Sequence, residues 1–260
     1  MTEESPTQRL TRARLRQLQQ LRSAKGRREQ RAFLIDGRKL VRDAIEAEAS
    51  IADLLSVSPE EWDDVSLPTT RISQADAERL SDTRTPQGHF AVVEDRIGQL
   101  EPPSDDDWQM VALDAIQDAG NVGGIIRSSA AFGVAGVIVG PGSADPGHPR
   151  VTRAATGAWF RVPIGRSEDL SCDLAALRDA GATVLATEAA GEPLSEVDIP
   201  GRVVWLFGNE GSGISPALEP LIDHRVSVPI SGSVDSLNVG VAAGIILHHG
   251  WRAARERIDR

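Results

Sequence analysis

Three short stretches of this 260-residue chain carry the polar and glycine-rich residues that hold small ligands. The first runs from Asp114 through Asn121 to Arg127. The second is Gly208-Asn-Glu210-Gly211-Ser-Gly213, and the third runs from Pro229 through Gly232 and Ser236 to Asn238. Each also has a purely structural reading. Asn121 and Ser236 fit as helix caps, Gly208 to Gly213 as suppliers of positive φ in a tight turn, and Ser215-Pro216 as an ordinary helix start. Arg127 differs from these. It falls one to two turns into an otherwise apolar, small-residue helix, where a charge needs a partner or a ligand.

Familiar chemistries fail on inspection. The second stretch lacks the Gly-Lys-Ser/Thr ending of a phosphate-binding loop. No Gly-x-Gly-x-x-Gly follows the first strand of its region, and no Gly-x-Ser-x-Gly elbow is present. The five histidines have no metal-ligand spacing, so no metal site is expected. Cys172, the single cysteine, excludes an internal disulfide and a thiolate cluster.

The elements that position these stretches follow from hydrophobic periodicity. Strands are predicted at 109–113, 136–139, 182–187, 203–207 and 225–228, and helices at 122–132, 170–180 and 237–257. Strand–helix alternation with short apolar strands implies a parallel sheet covered on both faces. Ligands bind beyond the carboxyl ends of such strands, and all three stretches fall there. Upstream, Leu10 to Ala24 reads as one amphipathic helix ending at Gly26, followed by strands at 32–35, 51–57 and 89–93 and a helix from about Arg38 to Glu48. The chain thus divides into a mixed domain over 1–96, a proline- and acid-rich linker over 97–107, and a second domain over 108–260.

The formal charge of -10 conceals an asymmetry. Residues 1–42 hold twelve Lys/Arg against four Asp/Glu, so the arm is basic and the remainder strongly acidic. A basic arm on an acidic body can grip a phosphate backbone locally while the body repels other polyanions. The run is mostly arginine, whose fork suits phosphate better than lysine does. Arg22, Lys25, Arg27, Arg28 and Arg38 are the candidate RNA contacts. No apolar run reaches the roughly 20 residues of a membrane-spanning helix, and the opening MTEESPTQRL lacks an apolar signal core. A cytoplasmic protein with no membrane partner is expected.

Taken together, the three stretches resemble the signature motifs of the SpoU/TrmH family of RNA 2'-O-ribose methyltransferases. Asn121-Val-Gly-Gly-Ile-Ile-Arg127 through Gly133 is similar to the first, Phe207 through Gly213 to the second, and Val228 through Gly232 with Ser236-Leu-Asn238 to the third. Pro149 to Gly157 is similar to the segment that follows the first motif. Arg22 to Ala47 and Pro86 to Val93 resemble the family's L30e-like RNA-binding domain, with Asp36 standing where a glutamate is usual.

The resemblance implies an α/β fold: a parallel-sheet domain threaded into a trefoil knot, plus a smaller N-terminal L30e-like α/β domain. It implies S-adenosylmethionine as cofactor, held by backbone groups at Gly208, Val228, Ile230 and Leu237. It also implies a homodimer with the active site near the interface, involving the last helix. The catalytic candidates are Arg127, Asn121, Glu210, Asn238 and Ser236. Family proposals give the arginine of the first motif the deprotonation of the ribose hydroxyl. A free guanidine base is costly at neutral pH, so Arg127 is expected instead to grip the adjacent phosphate and stabilise the developing alkoxide. Ribosomal RNA is expected as substrate ahead of transfer RNA; the other reading is a non-catalytic RNA-binding or ribosome-assembly protein that retains the fold.

Overall fold

A computed structural model describes residues 9–232 and 234–258, which form two compact units, each taken here by itself. Unit 1 holds the residues up to Arg96 together with Gly147–Phe160; unit 2 holds Ile97–Pro146 and the chain from Arg161 onward. Elements are numbered along the whole chain.

Unit 1 is built on a four-stranded sheet in the order β1-β4-β2-β3, from Ala32–Asp36 (β1), Ile51–Ser56 (β2), Thr69–Arg71 (β3) and His89–Glu94 (β4). The central pairings are antiparallel, with Leu34 opposite Val92 and Leu54 opposite Ala91. The expected single helix over 10–24 is two: Arg12–Gln20 (α1) and Ala24–Gln30 (α2). Thr11 caps the first through Arg14 N at 3.2 Å, and Ser23 caps the second through Gly26 N at 3.0 Å. Gly26 therefore lies inside a helix instead of stopping one. A Cβ there would come within 2.1 Å of the Gln20 carbonyl oxygen, so the close approach of the two helices requires glycine.

Arg38–Glu46 (α3) buries Leu40 and Val41, as its spacing predicts, with Ala44 beside them and Ile45 half-buried. Gln74–Leu80 (α4) is opened by a reciprocal capping box between Ser73 and Asp76. The segment following the first motif also packs here. Its helix, Pro149–Ala155 (α6), rests on β1, and the turn after it brings the Trp159 ring 4.8 Å from that of Phe33. Gly157 is pressed against Asp43, whose Oδ2 a Cβ would meet at 2.5 Å. By its place in the sequence this segment is expected in the second domain. Its apolar partners belong to unit 1.

Unit 2 is a six-stranded, wholly parallel sheet in the order β10-β8-β9-β5-β6-β7. Its strands are Trp108–Leu113 (β5), Gly136–Val139 (β6), Ile164–Arg166 (β7), Thr183–Pro193 (β8), Arg202–Phe207 (β9) and His224–Ser227 (β10). All six residues of β5 are buried, as expected of a strand covered on both faces. Leu170–Asp179 (α7) covers one face, with Leu170, Leu174 and Leu177 against Met110, Val184 and Val204. Ala119–Ala131 (α5) packs against Val239–Ile258 (α8). A Cβ on Gly250 of α8 would stand 2.9 Å from the Trp205 ring, so glycine lets that helix lie directly on the sheet.

The segment 97–107, expected as a linker, is a strap on unit 2. Gly98 O accepts from Arg166 N at 2.9 Å, Gln99 donates to Asp173 at 2.7 Å, and Asp106 and Asp107 pair with Arg202 and Arg257, each at 2.8 Å. Its acids meet arginines from distant parts of the chain, which local composition does not reveal.

Candidate active site at the strand ends

The carboxyl ends of β8, β9 and β10 enclose a cavity of about 520 Å³, of the size that takes a cofactor-sized ligand. All four cofactor candidates, Gly208, Val228, Ile230 and Leu237, line it, as do Glu210, Ser236 and Asn238. Apolar walls come from Val226, Ala242 and Ile246. The lining thus combines a greasy floor with backbone and carboxylate edges.

Local sequence explains how each loop is held open. After β9 the backbone folds back on itself, Asn209 and Gly213 exchanging both hydrogen bonds at 2.9 Å. Gly213 takes φ +71°, and a Cβ on Gly208 would strike the Gly213 carbonyl carbon at 2.6 Å. The expected positive φ is found at Gly213 alone, and Gly208 is held to glycine by close approach instead; both border the cavity. The Asn209 side chain braces the turn: its amide donates to Ala115 O at 2.7 Å, while Oδ1 accepts from Gly211 N and Ser212 N at 2.9 and 3.1 Å.

Asp114, directly after β5 and buried, accepts from Ser215 N at 2.6 Å and from Ser215 Oγ at 2.9 Å. It joins the first loop to the second. Sequence reasoning missed this latch; an aspartate immediately following a buried strand was the available signal.

The catalytic candidates separate into two groups. Asn121, Glu210 and Asn238 form one network. Asn121 Nδ2 donates to Glu210 Oε1 at 2.6 Å, and Asn238 Nδ2 donates to Asn121 Oδ1 at 2.9 Å. Asn238 Oδ1 accepts from Gly240 N and Val241 N at 3.0 and 3.2 Å, capping the last helix. Ser236 is not that cap; it stands exposed on the cavity rim. Nor does Asn121 cap α5, since Asp118 does so by accepting from Asn121 N at 2.9 Å. The Asn121 amide is left to project across to the other loops.

Arg127 stands apart. It is exposed on α5 and does not line the cavity, and its side chain makes no hydrogen bond or ion pair with the described residues. The charge expected to need a burial partner is solvated in the single chain.

In unit 1, Arg22, Lys25, Arg28 and Arg38 are exposed. Arg27, expected among the RNA contacts, is buried instead. It is 2 % exposed, and its Nη1 donates to the carbonyls of Leu21 at 2.9 Å and Arg22 at 3.2 Å. It satisfies backbone carbonyls left between α1 and α2 and is not available to RNA. Arg38 pairs with Glu61 at 3.1 Å and borders an open depression of about 740 Å³ with Lys39, Arg42 and Gln87.

Comparison with known proteins agrees with this layout. Residues 109–248 match the profile of the SpoU rRNA Methylase family, and residues 12–91 that of the MRM3-like substrate binding domain. The 23S rRNA (guanosine(2553)-2'-O)-methyltransferase RlmP of Bacillus subtilis is 30% identical over 241 residues, covering 88% of this chain and 92% of that protein. Among solved structures, the SpoU methyltransferase AviRb from Streptomyces viridochromogenes, in complex with the cofactor AdoMet, superposes with a TM-score of 0.84 at 30% identity, over 95% of this chain and 99% of that one. The AdoMet-bound rRNA methyltransferase from Sinorhizobium meliloti gives 0.83 at 28% identity, over 94% and 97%.

Proposed function

This chain belongs to the SpoU rRNA methylase family, and from that premise we propose that it methylates a ribose 2'-hydroxyl of ribosomal RNA with S-adenosylmethionine as donor. The observation that carries the reading is the convergence of Gly208, Val228, Ile230 and Leu237 with Glu210, Ser236 and Asn238 around one cavity beyond the strand ends. RlmP, named for 23S rRNA, aligns with nearly the whole chain, which favours ribosomal over transfer RNA.

The cavity suits the donor. Val226, Ala242 and Ile246 offer apolar surface to its adenine and thioether-like parts, and the loop backbones at Gly208, Val228, Ile230 and Leu237 offer polar groups to its edges. The bound cofactor supplies a methyl group activated on a sulfonium.

The protein's own residues do the rest. In-line transfer requires close approach, a partly deprotonated 2'-oxygen and exclusion of water. The Glu210–Asn121–Asn238 network fixes the second and third loops relative to the first, so the cavity wall is rigid where the ribose arrives. Arg127 holds the RNA phosphate beside the reacting ribose and stabilises the alkoxide as it forms; a phosphate oxygen or water takes the proton. Since Arg127 does not line the cavity of its own chain, the reading assigns it to the cavity of a second protomer.

A homodimer follows from the same reading. Val241 and Ile245 are 54% and 42% exposed on α8, and apolar helix surface of this kind is ordinarily covered. The knotted threading of the 208–215 and 228–238 loops belongs to the proposal as well. Exposed Arg22, Lys25, Arg28 and Arg38 of the substrate-binding unit contribute phosphate contacts, and the work is done in the cytoplasm.

The test is a map of 2'-O-methylation across total RNA with and without the gene. Loss of one site in ribosomal RNA is expected. Loss of a transfer-RNA site instead would redirect the substrate, and an unchanged map would leave a binding protein.

A further inference from the structure

One more carboxylate, that of Glu188, stands on the cavity wall. Glu188 follows Thr187, the last residue of β8 paired with β9, just as Gly208 follows its partner Phe207. Glu188 and Gly208 therefore stand side by side where the pairing of β8 with β9 ends, and both line the cavity.

The chain takes trouble to put Glu188 there. β10 pairs with β8 at Leu185 and Ala186, then skips to Glu192 and Pro193. Residues 187–191 are consequently unpaired with β10, a bulge whose Thr187, Glu188 and Ala189 line the cavity. The bulge is closed by Gly191, where a Cβ would meet the Val226 backbone carbon at 2.6 Å, and by Ser227 Oγ donating to Gly191 O at 2.8 Å. On β10, Arg225 donates through Nη1 to Glu188 Oε1 and through Nη2 to Glu219 Oε2. One oxygen of Glu188 is thus fixed. Oε2 takes no hydrogen bond from a described residue.

We propose that Glu188, oriented by Arg225, binds the ribose hydroxyls of the adenosyl group in this cavity; the inference rests on the methyl-donor reading above. Each of the other amide and carboxylate side chains on the wall has a partner, and Asn238 donates to Asn121. Asn209 is spent on its own turn, and Glu210 accepts from Asn121. The guanidinium beside Glu188 disfavours the donor's ammonium as its partner, since that would bring a second cation toward Arg225. Neutral hydroxyls carry no such penalty and donate well to a fixed carboxylate. A carboxylate at a strand end next to a glycine turn is also how dinucleotide-binding sheets hold a ribose, reached here through a bulge instead of a separate loop. Arg225 is a positioning residue and touches no ligand.

Calorimetric titration with S-adenosylhomocysteine and 5'-methylthioadenosine tests this, because the second ligand keeps the ribose and lacks the amino acid. Glu188→Ala is expected to weaken both ligands about 10- to 100-fold, the range for hydrogen bonds to a charged group. Glu188→Gln, which keeps the shape of the bulge, is measured beside it and is expected to weaken both in parallel. Arg225→Met should weaken both as well, and Arg225→Lys should restore much of the loss. Weakened S-adenosylhomocysteine with unchanged 5'-methylthioadenosine would place Glu188 at the amino-acid end and overturn the proposal, as would no change in either. If the parent protein binds neither ligand, it is the methyl-donor reading that fails.

Discussion

Asn121 and Asn238, 117 positions apart in sequence, are joined by a single 2.9 Å hydrogen bond from the Asn238 amide to Asn121 Oδ1. Asn121 uses its own amide on Glu210, so one asparagine ties the first loop to the two loops that border the cavity. Asn238 at the same time caps the last helix.

That double role gives Asn238→Ala two separable effects. Loss of the cap should cost about 1 kcal/mol of stability, a fall of about 2–4 °C in thermal midpoint for a chain of this size. Loss of the link to Asn121 should also weaken cofactor binding, whereas Asn238→Ser should recover the melting temperature without recovering the binding. Calorimetric melting and titration of the two variants check this; equal recovery of both would mean the asparagine is only a cap.

Arg127 is exposed and unpaired among the described residues, so its removal should leave the fold intact. Arg127→Ala is expected to lower single-turnover methyl transfer by about 10²–10³-fold while cofactor affinity stays within error of the parent. A variant that turns over normally in a single round would take Arg127 out of the reaction.

Neighbouring arginines in the basic arm should behave in opposite ways. Replacing exposed Arg22, Arg28 and Arg38 together by alanine should flatten the dependence of log affinity on log salt by about 2, given roughly 0.7 per phosphate contact on single-stranded RNA. Arg27→Met should leave that slope alone and destabilise unit 1 by roughly 1–3 kcal/mol, because buried carbonyls lose their donor. Filter binding at several salt concentrations and urea melts separate the two cases.

His89 gives unit 1 an acid sensitivity. Burial lowers the pKa of its imidazole, and both Trp62 Nε1 at 3.2 Å and Ser56 Oγ at 2.9 Å are directed at Nδ1, which therefore acts as an acceptor. A folded pKa below the unfolded one means the neutral form is favoured by folding. The stability it contributes is present above about pH 6.5 and is lost as pH falls through the lower folded value. Urea midpoints should decline on acidification over that window, and His89→Gln should show a flatter profile there from a lower starting point. An identical slope in the variant would assign the sensitivity to other groups.

The sequence by itself determined most of the alternation of strands and helices and the strand ends at which the polar, glycine-rich loops fall. These are local properties: an apolar period of 2 or 3.6 reports which face is buried, and glycine or proline punctuation reports where the chain turns. The sequence could not decide what each polar group does with its hydrogen bonds. Arg27 and Arg28 are adjacent arginines, yet one is buried against carbonyls and the other is exposed, because only the packing of α1 against α2 distinguishes them. Pro149–Ala155 follows the first motif in sequence and yet packs on β1. Asn121 caps nothing and instead reaches a residue 117 positions away, and Glu188 owes its place to a skipped register between two strands. Pairings of this kind depend on which distant segments the fold brings within about 3 Å, and no local pattern along the chain encodes that distance.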